Sequence, residues 1–108
     1  MIHIKYFESN WKTLPHIGDY IKMRTDSKNI GLVIFYNENI GRVIDVDPYY
    51  VTVMFKNQPP KSSKHIFDYD YEKDQYEKMF NINKIVDFAK SEEDLIRQIE
   101  YNTKKFNI

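Results

Sequence analysis

Apolar and polar residues alternate over short stretches along much of this chain, and most stretches end at a turn signal. In "DYIKMRT" (19–25), Ile21 and Met23 fall on one side and Tyr20, Lys22 and Arg24 on the other, the period-two pattern of a half-buried strand. "MIHIKYF" (1–7) repeats it with Ile2, Ile4 and Tyr6, and "NWKTLPHIGD" then reads as a loop broken by Pro15 and Gly18. "IGLVIFY" (30–36) is a continuous apolar run of strand length, which predicts a central, doubly covered strand ending in a turn at "NEN" (37–39). "IGRVIDV" (40–46) places Ile44 and Val46 opposite Val43, and "YVTVMF" (50–55) places Val51, Val53 and Phe55 opposite Tyr50, Thr52 and Met54. Asp47-Pro48 between them predicts a tight connection, because proline presets φ and an aspartate can accept from its own downstream backbone.

Beyond this hairpin the pattern changes. "KNQPPKSSK" (56–64) reads as a polar loop that no strand crosses. "HIFDYDY" (65–71) alternates again, with Phe67, Tyr69 and Tyr71 opposite Asp68 and Asp70. "EKDQYEKMF" (72–80) reads as one or two helical turns, and "INKIVDFA" (82–89) fits either a helix or a strand. "SEEDLIRQIEYNTKK" (91–105) is the clearest helix. Ser91 and Asp94 form a capping-box pattern, Glu92, Glu93 and Asp94 suit the positive helix end, and Lys104 and Lys105 suit the negative end. Leu95, Ile96, Ile99 and Asn102 mark the stripe that would pack on the sheet. The expected class is α+β: a small, strongly bent antiparallel sheet or barrel with a C-terminal helix. Residues 1–108 form one domain in this reading, with a β portion to about residue 71 and a helical portion over about 72–108.

Residues 17–55 resemble an SH3-like barrel of the KOW type. "IGDYIKMR", "IGRVIDV" and "YVTVMF" carry the resemblance: an early Gly-Asp opens a strand, and a Gly-x-Val strand pairs with a Val-x-Val-x-Phe strand. "TDSKNIGLVIFYNE" departs from the pattern by adding a strand where such domains have a loop. The resemblance implies binding of nucleic acid or protein rather than catalysis. Small-barrel endoribonuclease toxins share the length and strand content, but no catalytic residue carries over from them.

Composition narrows the chemistry. With no cysteine, disulfides and thiolate metal sites are excluded, and a reducing cytoplasm is the expected compartment. No apolar run reaches the length of a membrane span, and the first residues lack a signal-peptide pattern. Sixteen basic residues balance sixteen acidic ones, so indiscriminate attraction to nucleic acid is not expected. Abundant Lys, Asn, Ile, Tyr and Phe beside a single alanine, Ala89, reflect AT-rich coding, as in phages and mobile elements of AT-rich bacteria.

Neither a catalytic site nor a cofactor is expected. His3, His16 and His65 are scattered, and Gly18, Gly31 and Gly41 form no phosphate loop. Asp45/Asp47 and Asp68/Asp70 could face a hard cation, but such pairs are usually the wet face of a strand, and no metal site is assigned. Two surfaces are candidates for a macromolecular partner. Asp68, Tyr69, Asp70, Tyr71, Glu72, Asp74 and Tyr76 form an acidic, tyrosine-rich run suited to a basic protein surface. The alternative is a nucleic-acid rim made of Lys22, Arg24, Lys28, Arg42, Lys56, Lys61 and Lys64, with Tyr20 and Tyr50 as stacking platforms. Charge neutrality favours the first. The expected function is that of a non-catalytic accessory protein that occupies a basic site on a host protein, such as a nucleic-acid enzyme or defence nuclease.

Overall fold

The computed structural model of the protein describes residues 14–106, with side chains described as far as Asn102. The strand expected over 1–7, His3, and the side chains of Lys104 and Lys105 lie outside the described residues. In chain order the elements are β1 (Tyr20–Met23), α1 (Ile30–Glu38), β2 (Gly41–Val46), β3 (Tyr50–Phe55), β4 (Asp68–Asp70), β5 (Gln75–Asn81), β6 (Ile85–Ala89) and α2 (Glu92–Phe106). Short 3-10 turns at Lys61–Ile66 and Ile82–Lys84 precede β4 and β6. The strands form one antiparallel sheet ordered β4-β5-β3-β2-β1-β6, and it does not close into a barrel.

"IGLVIFY" is helix rather than strand. The run hides helical spacing: Leu32, Phe35 and Tyr36 are buried at i, i+3 and i+4, while Ile30 and Ile34 are exposed. Asn29 caps the start, its Oδ1 accepting from Leu32 N at 3.2 Å. Asn39 closes the end, its Nδ2 donating to Phe35 O at 2.8 Å. The "NEN" segment is therefore the last turn of α1 and its cap, not a hairpin turn. Valine and isoleucine are mediocre helix formers, so burial against the sheet decides the outcome over intrinsic propensity.

"EKDQYEKMF" is likewise corrected, from helical turns to the β4–β5 turn followed by β5. Tyr76 and Phe80 are buried on one row of β5. The ambiguous 82–89 stretch becomes a 3-10 turn and β6, so strands extend to Ala89 and the C-terminal helix is confined to α2.

Most of the hairpin reading holds. Val51, Val53 and Phe55 are buried, and Asp47 Oδ1 accepts from Tyr49 N and Tyr50 N at 2.7 and 2.8 Å, closing the exposed turn. A bulge at Ile44 shifts the register: Val43 pairs with Val53, but Asp45 pairs with Thr52. The extra residue breaks strict alternation, so Val46 packs against the same core as Val43 instead of facing away from it. Met54 is also buried, although it alternates with Val53 and Phe55. Gly41 is required by close approach: a Cβ there would sit 2.2 Å from Val53 Cγ1.

The core lies between α1 and the sheet. Phe35 meets Phe55 and Phe67 edge to face at 5.3 and 5.8 Å, and Tyr36 meets Phe80 at 5.4 Å. α2 docks on β6 through fully buried Leu95 and through Gln98, whose Nε2 donates to Asp87 Oδ1 and Phe88 O. Ile96 and Asn102 are exposed, so the buried stripe of α2 is narrower than the sequence suggests.

Candidate functional site

The acidic, tyrosine-rich run becomes the β4–β5 hairpin at one edge of the sheet. Asp68 pairs with Glu77, Tyr69 with Tyr76 and Asp70 with Gln75. Asp70 Oδ1 shapes the turn by accepting from Glu72 N at 3.0 Å and Lys73 N at 3.2 Å. Asp74 completes the turn with φ +52°, a left-handed conformation that aspartate tolerates better than most residues. The Tyr69 hydroxyl donates to Asp74 Oδ1, and this hydrogen bond, with the carboxylate charge beside it, holds the phenol at about 12, above its ordinary value.

The three rings of the hairpin form one cluster. Tyr69 lies 4.7 Å from Tyr71, nearly perpendicular, and 4.9 Å from Tyr76. Tyr71 is 86% exposed and Tyr69 36%, whereas Tyr76 is buried beneath them with Lys64 Nζ 5.9 Å from its ring. Asp68, Glu72 and Asp74 are exposed around the cluster. The acids thus divide by role. Asp70 and Asp74 hold the turn and the Tyr69 hydroxyl, while Asp68 and Glu72 make no side-chain bond within the described residues. Asp47 and Asp70 both close turns, which accounts for one member of each Asp-x-Asp pair without a metal.

The basic set does not gather into one rim. Tyr20 and Arg42 are cross-strand partners, with the guanidinium 5.0 Å from the ring. Lys22 is half-buried and donates to Asn37 O at the end of α1, and burial lowers its ammonium below the ordinary lysine range against the opposing pull of Glu38. Arg24 binds Asp26 Oδ1 and Asn83 O. Lys28 and Lys61 immediately precede Asn29 and Ser62, whose side chains bond each other, so these two cations flank the junction of α1 with the 3-10 turn. Tyr50 opens β3 and Lys56 follows its far end, which separates them by the length of the strand.

A third feature escapes the sequence pattern. A cleft of about 330 Å³ opens between α1, β5 and the segment after β1. Arg24, Lys78 and Lys84 line it together with Tyr36 and Phe80. Lys78 lies on the same row of β5 as buried Tyr76 and Phe80, so a lysine occupies an inward-facing position. Reading 75–81 with period two would have flagged it; a helical reading of 72–80 concealed it. Among the described residues there is no group of His, Cys, Asp and Glu placed to hold a metal ion, and no helix long and apolar enough to cross a membrane.

No protein-family model matches the chain, and neither a curated protein nor a solved structure matches it.

Proposed function

We propose that this chain is a non-catalytic binding protein that engages a basic protein surface through the β4–β5 hairpin. The observation that carries this reading is the fixed cluster of Tyr69, Tyr71 and Tyr76 ringed by exposed carboxylates. Tyrosine supplies large contact area with few rotors, and here Asp74 and the neighbouring rings restrain those rotors before any partner arrives. Asp68 and Glu72 are free to meet cations across an interface, where they would steer encounter and set register. β4 is only three residues long and carries two aspartates, which suits recognition by side chains rather than by strand addition. The AT-rich composition fits an accessory factor of a phage or mobile element acting on a host protein.

The SH3-like reading belongs with this proposal. The order β6-β1-β2-β3-β5 supports it, because the last strand returns beside the first and a 3-10 turn leads into it from β5. α1 then occupies the connection between β1 and β2.

The test is capture from host lysate, with and without nuclease, using the parent chain and two variants. Asp68→Lys with Glu72→Lys leaves the turn-closing acids in place and should sharply reduce nuclease-resistant capture of a protein. Lys28→Glu with Lys61→Glu should leave that capture intact. Capture that disappears with nuclease, or that only the lysine variant loses, would favour the nucleic-acid module instead.

A further inference from the structure

Two residues that line the cleft beside α1, Tyr36 and Lys78, carry polar groups without a full set of partners. The Tyr36 hydroxyl is buried and has no hydrogen-bond partner among the described residues, although the side chain is only 1% exposed. Such a group normally finds a partner, since burying it unpaired is costly. Lys78 is half-buried on the inward row of β5. Its ammonium sits 4.6 Å from the Phe80 ring centroid and donates to Met79 O at 3.2 Å, with no carboxylate paired to it among the described residues. Burial pushes that ammonium below the ordinary lysine range, as expected for a cation without a counter-charge.

Two further cations line the same cleft. Arg24 and Lys84 share one carboxylate, Asp26, which both contact. Three cations, Arg24, Lys78 and Lys84, against Asp26 leave a residual charge of +2 around the cleft. The remaining wall, including Leu32, Ile66 and Phe80, is apolar. The volume, 330 Å³, falls at the small end of the roughly 300–1,000 Å³ typical of ligand sites.

We propose that this cleft binds a small phosphate monoester, with Lys78 as the inner contact and Arg24 and Lys84 as outer ones. A dianionic monoester matches the residual charge, its oxygens accept from the three cations, and its organic body meets the apolar wall. The site is separate from the hairpin and does not depend on what the hairpin binds.

The test is a titration of the full chain followed by amide chemical shifts, with phenyl phosphate, uridine 5′-monophosphate, inorganic phosphate and phenol as probes. At least one ester should bind saturably, shift the amides of Thr25, Ser27 and Lys78–Asn81, and bind more tightly than inorganic phosphate; phenol should leave them unmoved. The tighter of the two esters identifies a nucleotide or an aryl source. Lys78→Met and Tyr36→Phe should each keep the fold, because each removes a poorly satisfied polar group. Lys78→Met should weaken ester binding about tenfold, the usual scale for one charge-assisted hydrogen bond. Tyr36→Phe removes only a hydroxyl with no accessible surface and should leave ester binding unchanged. No saturable shift up to about 10 mM ester, where only affinities too weak for a specific site remain, would overturn the proposal. So would unchanged ester affinity in Lys78→Met, or inorganic phosphate binding as tightly as either ester.

Discussion

Phe55 is where the sheet and α1 converge. Its ring lies 5.3 Å from Phe35, 5.9 Å from Tyr36 and 6.2 Å from both Phe67 and Phe80, and only 1% of the residue is exposed. Truncation leaves a cavity bounded by rings from α1, β5 and the segment before β4, none of which can collapse into it alone. Phe55→Ala should therefore lower the unfolding free energy by about 3–5 kcal/mol in a denaturant titration; a loss below about 1 kcal/mol would be incompatible with that placement. Tyr36 adds a pH signature. Burial raises its phenol above the ordinary value of 10.0, so the folded state holds the proton that the unfolded chain releases. The stabilisation from the neutral phenol is complete below pH 10 and is lost as pH rises toward the folded value. Thermal melts from neutral pH to beyond pH 10 should show a steeper alkaline decline for the parent chain than for Tyr36→Phe. Parallel declines would mean that the phenol ionises alike in both states.

At the scale of elements, α2 is the part most directly legible in the sequence. Ser91 Oγ accepts from Asp94 N at 3.1 Å, and Leu95 N donates to Ser91 O at 3.1 Å, as the capping pattern implies. Ser91→Ala should cost about 1 kcal/mol, measured by chemical denaturation, and a change within error would show that the cap contributes nothing net. β1 was equally readable because it buries one face and keeps the other wet, and Val43 and the row Val51, Val53 and Phe55 write period two into β2 and β3; the bulge at Ile44 and the burial of Met54 leave no such mark. α1 was not, because its run is apolar on nearly every side: Ile30 and Ile34 are as hydrophobic as the buried positions, so neither period stands out. Its caps were the available signal, with Asn29 before the run and Asn39 after it. β5 failed for a different reason. Lys78 breaks the apolar row between Tyr76 and Phe80, and the same lysine that hid the strand lines the cleft. The tyrosines and acids of the hairpin were readable as a set. The division between turn-holding Asp70 and Asp74 and unbonded Asp68 and Glu72 depends on turn geometry that the residue order does not reveal.

On the scale of the whole molecule, zero net charge conceals two fields of opposite sign at the two ends of β5. Gln75 begins the strand beside the acidic turn, whereas Lys78 and Asn81 lie toward the cationic cleft. Both features depend on β5, yet their electrostatic responses should differ. Asp68 and Glu72 are exposed, and at physiological salt fields from such charges fade over about 8 Å. A complex through the hairpin should thus lose association rate as salt rises, with the dissociation rate changing little, because rim charges act mainly on encounter. The rings of Tyr69 and Tyr71 should govern dissociation instead, as buried aromatic anchors do at other interfaces. Surface plasmon resonance against the captured partner separates these contributions. Asp68→Lys with Glu72→Lys should slow association by about tenfold or more and flatten its salt dependence. Tyr71→Ala should accelerate dissociation and leave that salt dependence intact. If the charge variant instead accelerates dissociation while Tyr71→Ala has no effect, the carboxylates form the buried centre of the interface, and the aromatic cluster serves only to hold the hairpin in shape.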